Sequence, residues 1–292
     1  MPRASVSRLT AYYMYQAGEE GGYVDQSFGT MDRRGFLGAL GAAGALSVLD
    51  RVGLPRAEVV PRAQNVVLVH GLYADGSSWD NVIGLLQDAG LKVTSVQNPL
   101  TSLAESVAAT RRALAVQQGP IVLAGHSWSG TIVSEVGDDP KISALVYVAA
   151  RAPDAGEDFP ALAKTFPAPP ASAGVVITDG FAQLSEMAFM NDFANGVEPR
   201  VARRLYAVQA SNVATLTTEK TTAAAWRGKP SWYAVSKQDR TINPELERFL
   251  AKRMNATTIE VDSGHLSLVS HPREIADLIL AAAGLTLVRT IR

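Results

Sequence analysis

The sequence contains no cysteine in its 292 residues. That absence excludes disulfides, thiolate metal sites and a cysteine nucleophile. Histidine is scarce. His70, His126, His265 and His271 are the four in the chain, so any mechanism that needs an imidazole base has few candidates. Neither sign of charge predominates: 27 lysines and arginines against 28 acidic residues give a formal net charge of −1. The balance leaves no electrostatic footprint for nucleic acid, and no block of like charge forms an acidic or basic tail. No apolar run is long enough for a comfortable membrane span. What is present is an ordinary globular composition, 47% apolar and 19% charged. The length suits one large α/β domain with a substantial core, or two small ones.

Residues 31–49 read MDRRGFLGALGAAGALSVL. The Arg33-Arg34 pair, followed by Phe36-Leu37 and an uncharged Gly/Ala-rich run to Leu49, resembles a twin-arginine export signal. A surface helix or a membrane anchor is the plainer alternative. Export signals belong at the start of a chain, so Met31 is the expected initiator. Residues 1–57 are expected to be a leader, with "LPRA" ending at Ala57 a poorly marked cleavage site. Residues 58–292 are then the working domain, periplasmic or secreted, with no stable membrane insertion once the signal is removed. In an oxidising compartment a domain without cysteine relies on its core alone.

From Asn65 the chain alternates strand and helix patterns. "NVVLVH" (65–70) is a continuous β-rich apolar run, as expected of a strand covered on both faces. Trp79, Val82, Ile83 and Leu86 follow at helical spacing, with Ser77 and Asp80 as a capping box. "KVTSVQ" (92–97) is the second strand, and 102–117 a helix capped by Ser102 with Glu105. Further strands are expected at 120–125, 142–150, 230–236 and 257–261. A helix begins at about Ser127 and runs to Gly137. Another is capped by Asn243 with Pro244 at its first position and turns Leu246, Phe249 and Leu250 inward. The last starts near Pro272. Repeated β-α units with short loops imply α/β class: a doubly wound, mostly parallel six-stranded sheet. The segment 151–229 is too long for a simple crossover. It reads as a small inserted cap, with a β-like run at 174–178 and a helix near 201–213, over the strand ends where open α/β sheets bind ligands.

The third strand runs into "AGHSWSG" and then a helix. A serine on a sharp strand-to-helix turn is a candidate nucleophile, and small residues must flank it where the chain packs on itself. Gly125 meets that need before Ser127. Ser129 stands where a glycine is expected, with Gly130 one residue later. A serine hydroxyl needs a base and an oxyanion site. The Trp128 N–H at a helix start supplies one oxyanion donor. The loop after the first strand, "VHGLYADGSSW", supplies the second, and Leu72 is preferred to Tyr73. His265, on a loop after the last strand, is placed to act as base. His126 is expected to support the turn from behind, His70 to brace its loop and His271 to cap a helix. The acid that orients His265 is Asp239 or Asp262, both at strand ends.

These blocks, in this order, resemble the α/β-hydrolase superfamily. The likeness is to its small-capped branch of plant-type methyl esterases, hydroxynitrile lyases and bacterial carboxylesterases, and it spans about 65–283. "VHGLYADGSSW", "AGHSWSG", "LVYVAA", "QDRTINP" and "GHLSLVSHP" carry it. The resemblance implies the order Ser127, Asp239, His265 for the triad and so selects Asp239. It also implies a serine hydrolase acting on a small or medium carboxylic ester through an acyl-enzyme, with no metal and no organic cofactor. Cyanogenic lyases of this branch carry a lysine directly after the base histidine. Leu266 stands there, which argues against a lyase, as Ser127 argues against relatives with Asp at the turn. A non-catalytic binding or signalling protein on the same fold is the other alternative. The cap residues Phe181, Met187, Phe189 and Met190, together with Tyr73, are expected to line an apolar substrate pocket.

Overall fold

The computed structural model describes residues 63–285. The expected leader (1–57), with its initiator and cleavage site, lies outside the described residues. Six strands form one parallel sheet: β1 (Asn65–Val69), β2 (Lys92–Val96), β3 (Ile121–His126), β4 (Ile142–Val148), β8 (Ser231–Ser236) and β9 (Thr257–Val261), in the order β2-β1-β3-β4-β8-β9. The doubly wound sheet expected from the sequence is therefore present. β1 and β3 are fully buried, as their unbroken apolar runs require.

The chain leaves β1 toward β2 at one edge, then returns past β1 to β3 and continues through β4 and β8 to β9. With right-handed crossovers this reversal puts the helices on both faces. α1 (Asp80–Asp88) packs with α9 (Pro272–Ala282), and α2 (Leu103–Ala115) with α3 (Gly130–Val136). The ends of β1 and β3 flank the point where the strand order reverses, the place where such sheets bind ligands.

Local signals in the sequence set most element ends. Ser102 caps α2, its Oγ accepting from the Glu105 N–H at 3.1 Å. Asn243 caps α7 (Pro244–Arg253) with Pro244 at its first position. The start of α1 differs from expectation. Ser77 does not cap it: the cap residue of α1 is Trp79, which makes no side-chain cap bond, and Asp75 caps the turn before it, its carboxylate accepting from the Ser77 N–H at 2.9 Å. A 3-10 turn (Gly76–Trp79) precedes the α-helix. Phe249 also departs from expectation. It is 41% exposed and packs on the Phe166 ring at 5.8 Å, while Leu246 and Leu250 carry the buried face of α7.

Between β4 and β8 lies the inserted segment. It holds α4 (Phe159–Ala163), the antiparallel strands β5 (Val175–Thr178), β6 (Phe181–Leu184) and β7 (Asn212–Val213), α5 (Glu186–Ala188) running into a π-turn (Phe189–Phe193), and α6 (Pro199–Ala207). The helix expected at 201–213 is shorter and begins earlier. Glu198 caps it with Pro199 at its first position, and Asn212–Val213 turns extended to pair with β6. The insertion is tied to the sheet's C-terminal end. The Val213 N–H donates to the Leu100 carbonyl at 3.0 Å, and the Ala171 N–H to the Arg240 carbonyl at 3.0 Å. α8 (Ser267–Ser270) closes the last loop before α9.

The turn from β3 into α3 packs directly on the chain leaving β4. A Cβ on Gly130 would lie 1.9 Å from the Arg151 carbonyl oxygen, a contact that backbone cannot relieve without moving. We predict that Gly130→Ala destabilises the fold by about 1–3 kcal/mol. Thermal unfolding followed by circular dichroism checks this; an unchanged Tm would contradict the close packing.

Candidate active site

Ser127 sits at the tip of the turn with φ 59°, a left-handed conformation that is costly for a non-glycine residue. The neighbouring chain holds it there. The Arg151 N–H donates to the Ser127 carbonyl at 2.9 Å. Gly71 packs so closely that a Cβ there would meet the Ser127 Cβ at 2.7 Å. Only glycine lets the loop after β1 lie against the serine, and that role of Gly71 goes beyond the turn read in the sequence. Two other non-glycine residues near the site share positive φ, Tyr73 at 59° and Ala149 at 44°.

The site's three side chains come from different strand ends. His265 Nε2 lies 2.8 Å from Ser127 Oγ, and His265 Nδ1 lies 2.6 Å from Asp239 Oδ2. Because the carboxylate only accepts, Nδ1 carries a proton and, in the neutral ring, Nε2 is left to accept from the serine. The other Asp239 oxygen accepts from the Thr241 N–H at 2.6 Å and the Ile242 N–H at 2.9 Å. Asp262, the rival in the sequence, points elsewhere. It accepts from Gln238 Nε2 at 3.0 Å and pairs with Lys237 at the surface. The loops that carry Asp239 and His265 are stitched together by the Gln238 N–H, which donates to the Ser263 carbonyl at 2.9 Å. Asn195 of the insertion donates its side-chain amide to the Gln238 carbonyl at 2.9 Å.

Donors for an oxyanion stand beside the serine. The Trp128 N–H lies at the start of the 3-10 turn Ser127–Ser129, where the leading amides have no partner within the turn. The Leu72 N–H has no hydrogen-bond acceptor among the described residues. Leu72 and Trp128 both line the cavity that opens at Ser127.

The remaining histidines are structural. His126 is wholly buried, and its Nε2 donates to the His265 carbonyl at 3.0 Å, bracing the base from beneath. Burial, reinforced by the adjacent His265, pushes its pKa well below the ordinary imidazole value. It is therefore neutral, and its Nδ1 is a bare acceptor without a donor. His70 Nε2 accepts from the Asn98 N–H at 2.9 Å while Nδ1 donates to the Gly71 carbonyl at 2.9 Å; burial lowers its pKa as well. His271 stands at the start of α9 but makes no side-chain cap, bonding Ser270 Oγ at 2.9 Å instead.

Behind Asp239 lies a group that the sequence reading did not single out. Glu247 of α7 is fully buried, and one of its oxygens accepts from the Ser236 N–H at 3.1 Å. Burial first, and then the negative charge of Asp239, drive its carboxyl well above the ordinary glutamate value. Glu247 is thus held protonated, leaving the single negative charge of the pair on Asp239.

The cavity beside Ser127 measures about 300 Å³. Tyr73 lines it. Phe181, Met187, Phe189 and Met190 do not. β6 alternates, so Phe181 falls on its outer face while Leu184 turns into the cavity. Met187 is exposed, and Phe189 is core, packed on Phe193 and Tyr206. Met190 is half-buried against the core. The walls come instead from Arg151, Phe159, Leu184, Ile242 and Leu246, with Thr217 and Thr241. Their sequence signal was position: Arg151 lies in the segment leaving β4, and Thr241 and Ile242 in the loop after β8, at the binding end of the sheet.

Ser129 is more than a small-residue replacement. Its buried hydroxyl lies 2.7 Å from the Val69 carbonyl and 2.8 Å from the His126 carbonyl. Its one proton bonds either or is shared between them, tying the end of β1 to the turn.

Comparison with known proteins gives one consistent result. The pattern of the alpha/beta hydrolase family matches residues 66–278. The alpha/beta hydrolase nvfD of Aspergillus novofumigatus (strain IBT 16806) is 23% identical over 242 residues, which cover 75% of this chain and 96% of that protein. The pyrethroid hydrolase from Sphingobium faniae JZ-2 superposes with a TM-score of 0.63 at 18% identity, covering 76% of this chain and 98% of its own. Polyneuridine aldehyde esterase gives 0.65 at 18% identity, with coverage of 75% and 98%. A methylesterase from Arabidopsis gives 0.61 at 18%, with coverage of 75% and 98%. At 18% identity these three superpositions show a shared fold.

Two predictions follow from the polar interior. Ser129→Gly should cost about 1–3 kcal/mol of stability, since a buried hydrogen bond is lost and glycine adds backbone freedom; an unchanged urea midpoint would show the hydroxyl to be silent. For Glu247 the folded pKa is raised. Between the ordinary glutamate value and the folded value, the unfolded chain therefore binds fewer protons, and stability falls as pH rises. Glu247→Gln mimics the protonated form and should remove that fall: the variant matches the wild type below the ordinary glutamate value and has the higher Tm at alkaline pH. Tm measured from pH 4 to 9 tests this, and parallel curves would contradict it.

Proposed function

The chain belongs to the alpha/beta hydrolase family, and on that premise we propose that it is a serine esterase acting on small to medium carboxylic esters. The observation that carries the reading is the single imidazole that bridges a strained serine and a buried carboxylate, His265 between Ser127 at 2.8 Å and Asp239 at 2.6 Å. That constellation activates a hydroxyl for acyl transfer. Two of the structural neighbours are themselves called esterases, which supports the same class.

In this reading Ser127 Oγ attacks the ester carbonyl as His265 Nε2 takes its proton. Asp239 keeps the imidazole in the tautomer that can accept, and its negative charge stabilises the imidazolium that forms. The oxyanion of the tetrahedral intermediate is received by the N–H groups of Leu72 and Trp128, the latter at the positive end of a helical turn. His265 returns the proton to the leaving alcohol. A water molecule, deprotonated by the same imidazole, then attacks the acyl-enzyme, and Ser127 is released with the acid. Leu266 follows the base where the cyanogenic relatives carry lysine. The site so lacks that cation directly beside the base and favours hydrolysis over lyase chemistry.

Ser127→Ala should lose ester turnover by on the order of 10⁶-fold in kcat, as removal of a triad nucleophile does elsewhere. Turnover of a p-nitrophenyl ester panel checks this. Stoichiometric labelling of Ser127 by a fluorophosphonate, absent in the variant, separates an esterase from a binding protein on the same fold. Full turnover by the variant would remove Ser127 from the mechanism.

A further inference from the structure

Among the residues around the cavity, Arg151 is the one that ester hydrolysis itself does not call for. Its guanidinium reaches the cavity beside Ser127, whose walls are otherwise largely apolar, with Leu72, Phe159, Leu184 and Leu246 among them. One hydrogen bond is recorded for it, Nη1 donating to the Thr217 carbonyl at 3.0 Å, and it lies over the Phe159 ring at 4.9 Å. No carboxylate among the described residues comes within salt-bridge distance. The contrast with Arg253 is informative. That arginine, also largely withdrawn from solvent, is paired through two nitrogens with Glu157, Nη1 at 2.6 Å and Nη2 at 3.0 Å.

The guanidinium is charged and without a counter-ion. Burial lowers its pKa to about 10, so it remains a cation at neutral pH. Tyr73 is the titratable neighbour that acts on it, and burial raises the phenol's pKa, so Tyr73 is neutral and supplies no negative charge. A cation taken out of water without a partner is costly, and chains rarely keep one without a use. Its position is also fixed. The Arg151 N–H is bonded to the Ser127 carbonyl at 2.9 Å, and its own carbonyl packs against Gly130. Thr241 also lines the cavity, although its Oγ1 is itself buried and has no hydrogen-bond partner among the described residues.

We infer that Arg151 is a specificity-determining residue that binds a substrate carboxylate, so that the preferred substrates are esters carrying a second, free carboxylate a few atoms from the scissile carbonyl. The inference rests on the esterase reading of Ser127. The forked N–H array of arginine matches a carboxylate in two parallel hydrogen bonds, and the apolar surroundings strengthen them. A monoanion suits the cavity better than a phosphate dianion, because less charge must be stripped of water in walls that offer one cation.

The test compares monoethyl glutarate with ethyl 5-methylhexanoate, in which an isopropyl group replaces the carboxylate, by pH-stat titration of the released acid. The wild type should favour the half-ester in kcat/KM by about tenfold or more. In Arg151→Met the ratio should fall by about tenfold or more or invert, with Arg151→Lys between the two because the charge stays and the fork is lost. A wild-type ratio at or below one overturns the inference whatever the variants do, so a variant that fails to fold does not protect it. Turnover of the neutral ester alone leaves the esterase reading standing and removes only the carboxylate site. Should neither ester turn over and the fluorophosphonate leave Ser127 unlabelled, the esterase reading falls. Calorimetric binding to Ser127→Ala then decides the cation site: monoethyl glutarate binding more tightly than its isostere supports it, and equal or weaker binding overturns it.

Discussion

The left-handed turn at Ser127 is the constraint around which the rest of the molecule is arranged. A non-glycine residue at φ 59° costs on the order of 1–3 kcal/mol, and it persists because the ends of two neighbouring strands hold it. β4 contributes the Arg151 N–H to the Ser127 carbonyl, and β1 accepts at its last carbonyl, on Val69, from the Ser129 hydroxyl. Gly71 and Gly130 remove the side chains that would push these segments apart. The reversal of strand order between β1 and β3 opens space above that turn, and the last two strands of the sheet bring the acid and the base to it. The strain aims the hydroxyl at His265, away from the carbonyls that anchor the turn.

Burial sorts the charges around this turn. Several groups that could ionise lie within the same interior, and the low dielectric permits few of them to do so. His70 and His126 are held neutral, and each serves as a fixed hydrogen-bonding strut. Glu247 keeps its proton because burial, and then the negative charge of Asp239, disfavour a second carboxylate there, while two backbone N–H groups and His265 hold the charge on Asp239. The acid of the site thus sits above a neutral carboxyl in place of a second negative charge, which like-charge repulsion would make costly. The neutral environment confines the site's negative charge to the atom pair that faces the imidazole.

The inserted segment closes the site in two ways. Its backbone is pinned to the loops after β2 and β8, and Asn195 reaches the loop of the acid. Its inner residues, Phe159, Ala171 and Leu184, supply apolar wall. Excluding water from that wall strengthens every charge interaction inside, including those of the oxyanion donors and of Arg151. The insertion therefore shapes the ligand while also stiffening the loops that hold the catalytic groups.

Much of this was legible in the sequence because it is local. Unbroken apolar runs marked β1 and β3, Asn243-Pro244 marked the start of α7, and the strand-turn-helix context marked Ser127. Each of these records a requirement met within a few residues. The orientation of the insertion was not legible. Phe181 and Met187 looked like pocket residues by composition, yet the register of β6 and the packing of the π-turn turned them outward, and Leu184 inward. Ser129 read as a small-residue replacement until Val69, 60 positions away, came within hydrogen-bond distance. The sequence by itself determined the order of strands and helices, the residue types able to do acyl-transfer chemistry, and their places at strand ends. Only the tertiary structure decided that Asp262 faces solvent and Asp239 the imidazole, that a serine and a histidine 138 residues apart meet at 2.8 Å, and that Arg151 has no counter-ion among the described residues. Those facts depend on which loops the sheet brings side by side and on what the packed interior excludes, and neither is written in any short stretch of chain.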